Sequence, residues 1–208
     1  MKPMIHDFLK ITFTVLIVMD PIGLIPQYLS LTAPFDQKTR NSIIKKSLLI
    51  AGLVLCLFLL GGKVLLGFFG ILPGVFYISG GLLFFLIAFE MIYSKPELRK
   101  IPAPEGNSVA IFPLAIPLIA GPGLLTVIIM FMSSENNWLY SFSLLFPAII
   151  IGLGCTYAAL RGSVFILKFL SGMGILVIEK IMGLILSGFA VQFIYNGLVT
   201  LGILAGKP

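Results

Sequence analysis

The stretch VMDPIGLIPQY, residues 18–28, sets an aspartate, two prolines and a glycine inside a run that is otherwise largely apolar from Phe8 to Ala33. A run of that length suffices to cross a hydrocarbon core, which takes about 20 helical residues. Proline removes a backbone donor and clashes with the preceding turn, and an intramembrane carboxylate is expensive, so the stretch reads as a membrane span broken near its middle. The rest of the chain is written for the same solvent. Of its 208 residues, 59% are hydrophobic and only 11% charged, and the mean hydropathy of +1.12 lies far outside the range of a soluble domain. The net charge of +6 would suggest nucleic acid for a soluble protein, but basic residues of a membrane protein are explained by topology, and no nucleic-acid partner is expected. Cys56 and Cys155 both lie in apolar runs and read as small hydrophobes. The first 33 residues carry Asp20 and no convincing small-residue cleavage site, so they read as a retained span and not as a signal peptide.

Outward from that span, Ala110–Met132, Trp138–Leu160 and Ile181–Leu204 pass without a charge. Ser47–Phe89 is interrupted only by Lys63 and is long enough for two spans, with the turn expected in GGKVLLGFFGILPG, residues 61–74. The expected architecture is an all-α integral membrane protein of six transmembrane helices, three in each half. A proline-rich polar segment separates the halves, giving a first three-helix repeat at 1–94, a cytoplasmic linker at 95–109 and a second three-helix repeat at 110–208. Placing the N-terminus outside puts ten of the fourteen basic residues in cytoplasmic segments, so both termini are expected outside. Between Gly162 and Ile178 the chain is apolar with Arg161, Lys168, Glu179 and Lys180 in or around it, a pattern expected to lie along the cytoplasmic interface.

The halves resemble each other. An offset of 102 lays GLLFFLIAFEMIYS (81–94) over GLILSGFAVQFIYN (183–196), pairing Gly81 with Gly183, Ala88 with Ala190, Glu90 with Gln192 and Ile92 with Ile194. An offset of 100 lays DPIGLIP (20–26) over AGPGLLT (120–126). With an odd number of spans in each half, the copies would be inserted upside down, as in many secondary transporters. The prolines and glycines then become informative. Pro21, Gly23 and Pro26 in span one have counterparts in Pro113, Pro117, Gly121, Pro122 and Gly123 in span four, so both spans are expected to be broken. Broken helices at membrane depth are tolerated where freed backbone groups face protein or a water-filled cavity, and paired breaks point to a site at the repeat interface.

Asp20 has two readings. Preceding a proline, it is placed to cap the second half-helix; as an intramembrane carboxylate, it could instead hold a proton or cation. Half-helix N-termini offer amides to a substrate carboxylate, with Gly23, Gly123 and the hydroxyl of Thr126 as candidate donors. Gln192 and Asn196, four apart on one face, are expected to hydrogen-bond to other helices, with Gln192 also a candidate substrate or ion ligand, and Glu90 is expected to reach water or Lys95 near the cytoplasmic end of span three. His6 reads as a surface residue. No Ser, His and Asp set, HExxH, P-loop or Cys/His metal spacing is present, so neither catalytic residues nor a metal or cofactor is expected.

DPIGLIPQYLSLT (20–32), IFPLAIPLIAGPGLLT (111–126) and GILVIEKIMGLILSGFAVQFIYNGL (174–198) resemble the MarC family of bacterial and archaeal inner-membrane proteins, also called the neutral amino acid transporter family after its SnatA branch. The resemblance covers nearly the whole chain. It implies six spans, an inner-membrane location and transport of glycine, alanine and other neutral L-amino acids. The family's first-span motif, Asn or Asp followed by Pro-x-Gly-x-x-Pro, falls on Asp20, Pro21, Gly23 and Pro26; its fourth-span motif falls on Pro117, Leu118, Gly121, Pro122 and Gly123. Many relatives have Asn at the first position, which favours capping over titration for Asp20. The expected function is a secondary transporter of small neutral amino acids coupled to a proton or sodium gradient, with the lipid bilayer and a second copy of the chain as candidate partners. A channel for a small solute and a structural or regulatory membrane protein are the alternatives.

Overall fold

The computed structural model describes residues 2–93, 106–134 and 138–204, and every regular element among them is a helix. The order is α1 (Lys2–Met19), α2 (Leu24–Thr32), α3 (Gln37–Phe68), α4 (Pro73–Tyr93), the single turn α5 (Gly106–Val109), an irregular segment Ala110–Ile119, α6 (Pro122–Ser134), α7 (Trp138–Arg161) and α8 (Ser163–Thr200). Most of the linker, with Lys95, Arg99 and Lys100, lies outside the described residues. Four stretches are long and apolar enough to cross a membrane alone: Gln37–Gly62, Gly74–Tyr93, Trp138–Arg161 and Leu176–Thr200. Two more form bent pairs, Met4–Met19 with Leu24–Thr32 at 41° and Ala110–Ile119 with Pro122–Met132 at 50°; counting each pair as one span gives six. The bends fall in spans one and four, where the prolines lie.

Large apolar side chains cover the outside of the bundle, among them Phe13, Leu57, Phe85 and Leu184. That arrangement is stable only in a medium as apolar as they are. Three buried hydroxyls satisfy themselves locally: those of Thr32, Ser47 and Thr156 donate to the carbonyls four residues earlier, Tyr28, Ile43 and Gly152, at 2.7–2.9 Å. The expected turn within 61–74 is present, with Gly70 at φ 65° following α3 and its N–H donating to the Gly67 carbonyl. Positive φ without a side chain is what such a helix stop needs.

At the other end of α3, Asp36 accepts a hydrogen bond from the Thr39 amide at 3.1 Å, the geometry of an N-cap. Hydrogen bonds from the Thr39 side chain and backbone hold the exposed Asp36 carboxyl below the usual carboxylate range. Arg40, one turn on, donates to the carbonyls of Thr32, Phe35 and Ala33 at 2.9–3.1 Å. It thereby satisfies orphan acceptors where α2 ends, with a positive charge at the negative end of the helix.

The segment expected to lie on the cytoplasmic interface behaves differently. The chain turns at Gly162 and then runs as one helix from Ser163 to Thr200. At 1.5 Å per residue its 38 residues span about 57 Å, well beyond the ~30 Å hydrocarbon core. Residues 163–175 are thus joined to the candidate span Leu176–Thr200 without a turn, as one helix longer than the core is thick. No proline falls within 163–200, so nothing local stops the helix where the charges appear.

α4 and α8 pack antiparallel along most of their length, and glycines set their separation. A Cβ on Gly81 would lie 2.7 Å from the Ala190 carbonyl oxygen and 2.7 Å from Ile194 Cγ1; one on Gly183 would lie 3.2 Å from the Ala88 oxygen and 3.0 Å from Ile92 Cγ1. Under the offset of 102, Gly81 becomes Gly183, Ala88 becomes Ala190 and Ile92 becomes Ile194. Each contact is thus exchanged for the other. Gly74 and Gly197 extend the seam, each within 3.0 Å of the other's carbonyl oxygen once a Cβ is added. Small residues are how membrane helices approach closely when no hydrophobic driving force holds them together.

Candidate functional site

The break in span one is built around Asp20. Its φ is 42°, the left-handed region that Asp and Asn enter more readily than other residues with side chains. In that conformation its N–H donates to the Leu16 carbonyl at 3.0 Å, closing α1, while its own carbonyl accepts from Leu24 N–H at 3.1 Å and its Oδ1 accepts from Gly23 N–H at 3.1 Å. One residue ends one helix and caps the next, with Pro21 in the first-turn position that does not need its missing donor. Gly23 has no room for a side chain, because a Cβ there would fall on the Asp20 carboxylate.

The break in span four uses backbone alone. Phe112 and Ile116, each preceding a proline, are extended at φ −128° and −131°, and the stretch Ala110–Ile119 cannot form regular α-helix. Pro113 and Pro117 have no backbone N–H to donate, so a regular helical ladder cannot be completed through either position. Ala120 N–H reaches back to the Ala115 carbonyl at 2.9 Å, and Leu125 N–H donates to the Gly121 carbonyl at 3.1 Å, starting α6. Gly121 and Pro122 occupy the places of Asp20 and Pro21. This register, 20 to 121 and 24 to 125, is an offset of 101, one residue from the offset of 100 expected for this segment. Capping geometry, not apolar similarity, sets the correspondence.

The second break lies against the last turn of α1. A Cβ on Gly123 would touch Val18 Cγ1 at 3.3 Å, Phe84 Cε1 at 3.0 Å and Ile87 Cδ1 at 3.1 Å, so the space expected for a substrate at Gly123 is filled by protein side chains in this conformation. Thr126 is likewise committed: its hydroxyl donates to the Pro122 carbonyl at 2.8 Å and its methyl packs on Gly80. Pro26 lies in α2, one turn beyond the break. Among the site residues expected from sequence, Asp20, Pro21, Gly23, Gly121, Pro122 and Gly123 therefore gather at the two breaks, and Thr126 backs them.

Gln192 stands apart. It lines a cavity of about 280 Å³ between α1, α4, α6, α7 and α8, on the side of the bundle where α1 begins, and its amide donates to Asn196 Oδ1 at 2.9 Å, a bond within α8 and not the interhelical one expected. The same cavity is lined by Asp7, Lys10 and Tyr140, which sequence reasoning passed over as an outer terminus. The available signal was a carboxylate and an ammonium three apart on one face at the start of an apolar helix. Glu90 is exposed near the end of α4, and His6 is a surface residue 3.8 Å from Asp7. Among the described residues no three His, Cys, Asp or Glu groups gather in a way that could hold a metal ion.

A family model described as MarC family integral membrane protein matches residues 5–201. A UPF0056 membrane protein of Methanocaldococcus jannaschii is 36% identical over 186 residues, covering 87% of this chain and 90% of that protein. The UPF0056 inner membrane protein YhgN of Escherichia coli is 32% identical over 193 residues, 93% of this chain and 96% of its own. A UPF0056 membrane protein of Pyrococcus horikoshii is 33% identical over 183 residues, 87% of this chain and 89% of that protein. No solved structure gives a significant match.

Proposed function

The chain belongs to the MarC family of integral membrane proteins, and from that premise we propose that it is a secondary transporter of small neutral amino acids, glycine and alanine foremost, across the inner membrane, driven by a proton or sodium gradient. The observation that carries the reading is the approach of the second break to the end of α1, where a Cβ on Gly123 would touch Val18, two residues before Asp20. A continuous helix satisfies its backbone within the membrane at no cost, and a break does not. A break in each of two spans, the second packed against the end of α1, gives up backbone hydrogen bonds that continuous helices would keep. Such breaks suit a transporter whose half-helices shift against each other to open a path.

The exchanged contacts of α4 and α8 support the same reading, because they are what two oppositely inserted copies of one three-helix unit would make. The units would be residues 1–94 and 110–208, joined by the 95–109 linker, with both termini outside. The inner-membrane assignment draws on the printed name of the Escherichia coli relative. The reading requires no catalytic group, and the bilayer is the only obligatory partner.

Purified protein in proteoliposomes should accumulate labelled glycine or alanine against its gradient when a proton or sodium gradient is imposed, and should stop when the gradient is collapsed. Equilibration without accumulation would replace the transporter by a channel. Retention no greater than that of empty vesicles under every gradient would remove amino acid transport altogether.

A further inference from the structure

The cavity at the outer end of the bundle has chemistry that the breaks lack. Asp7 and Lys10 lie one helical turn apart on α1 and both face it. Asp7 is held in place, its Oδ2 accepting from Tyr140 Oη at 2.8 Å, while Lys10 has no carboxylate partner among the described residues. On α7, next to Tyr140, Ser141 is 2% exposed, and its hydroxyl, like that of the neighbouring α1 residue Thr12, has no hydrogen-bond partner among the described residues. A buried hydroxyl left unsatisfied is unusual in a folded protein and signals a missing partner. The amides of Gln192 and Asn196 add donors and acceptors, and Ile11, Leu144 and Phe193 supply an apolar wall.

We propose that this cavity is a binding site for a small zwitterion, a solute whose carboxylate is received by Lys10 and the Ser141 hydroxyl and whose ammonium is received by Asp7. The two protein charges cancel, so a net-neutral solute carrying both signs compensates each of them. A singly charged solute leaves one facing its own sign or nothing. The volume of about 280 Å³ is at the lower edge of ligand pockets and suits a molecule with a short aliphatic side chain. Placed at the mouth of the bundle, the site would take up solute before it reaches the breaks. It rests on the transport reading for its role, though not for its geometry.

The test is equilibrium binding of labelled alanine to purified protein in detergent, with propionate and ethylamine as single-charge competitors, run beside the uptake assay. Wild-type protein should bind alanine saturably and be displaced by glycine far better than by either competitor. Lys10→Gln and Asp7→Asn, near-isosteric changes at the cavity mouth, should each weaken alanine binding by about tenfold or more, as expected when one charge-assisted contact is lost. Each should also erode discrimination in its own direction, Lys10→Gln towards ethylamine and Asp7→Asn towards propionate. Ser141→Ala should weaken binding less and leave the charge preference intact. Alanine binding that both charge variants leave unchanged would overturn the site while leaving transport standing. Binding that responds as expected, without gradient-driven uptake, would uphold the site and sink the transporter. No saturable alanine binding to a wild-type protein that melts cooperatively would also overturn the site.

Discussion

The two breaks solve one problem with different means. In span one a side chain does the work: Asp20 takes the left-handed conformation and offers its carboxylate to Gly23 N–H. In span four no side chain caps the turn; two residues before prolines are extended, and Gly121 leaves room for the Pro117 carbonyl oxygen, which a Cβ would approach to 2.6 Å. A side chain can swing away from an intruding atom, whereas a carbonyl in a packed backbone cannot. The first break should therefore tolerate substitution better than the second, although only the first carries a charge.

The largest effect is expected at Gly121. Gly121→Ala drives a Cβ into backbone and should destabilise the protein by about 2–3 kcal/mol, read from thermal melting in detergent, in keeping with the cost of overpacking a rigid site. Gly23→Ala meets only the Asp20 carboxylate, and should cost about 1–2 kcal/mol, mainly the lost hydrogen bond. If the two alanine variants melt alike, the contrast between a side-chain-built and a backbone-built break fails.

Replacing Asp20 sharpens the contrast further. Asp20→Ala loses both the carboxylate acceptor and a residue suited to φ 42°, for about 2 kcal/mol together. Asp20→Gly should lose only the acceptor, and Asp20→Asn should stay within about 1 kcal/mol of wild type, since its amide oxygen still accepts from Gly23. A transport rate in Asp20→Asn equal to wild type would assign Asp20 to capping alone. Loss of gradient coupling with unchanged melting would give it a role in the ion step.

The smallest effect is expected at Asp36, outside the bilayer, where capping is again by a carboxylate but in water. Its carboxyl lies below the ordinary range when folded, so the stabilisation is present above the unfolded value near 4 and disappears as pH falls through the lowered folded value. Asp36→Ala should therefore melt slightly below wild type at pH 6, and the gap should close only under strongly acidic conditions. A gap that widens on acidification would have the sign wrong.

Much of the fold was legible because the bilayer restricts the options. Apolar run length gave the candidate spans, four unbroken and two bent pairs, and proline chemistry marked which of them bend, both being local properties of the chain. The register of the second break was not legible: matching Gly23 to Gly123 follows residue similarity, whereas the structure aligns Asp20 with Gly121 by the hydrogen bonds each makes. The long helix after Gly162 also escaped, because charges at 161, 168, 179 and 180 suggest an interface but carry no helix stop.

The sequence by itself determined an integral membrane protein of helices, the two interrupted spans and the glycines that recur between its halves, since each depends on a residue's own solvation or backbone freedom. Only the tertiary structure decided that Gly123 packs against Val18 at the end of α1, that Gly81 and Gly183 meet the carbonyls of Ala190 and Ala88, and that Asp7, Lys10, Ser141 and Gln192 share one cavity. Those four residues come from three helices separated by most of the chain. Their convergence is a consequence of packing, which no local pattern records.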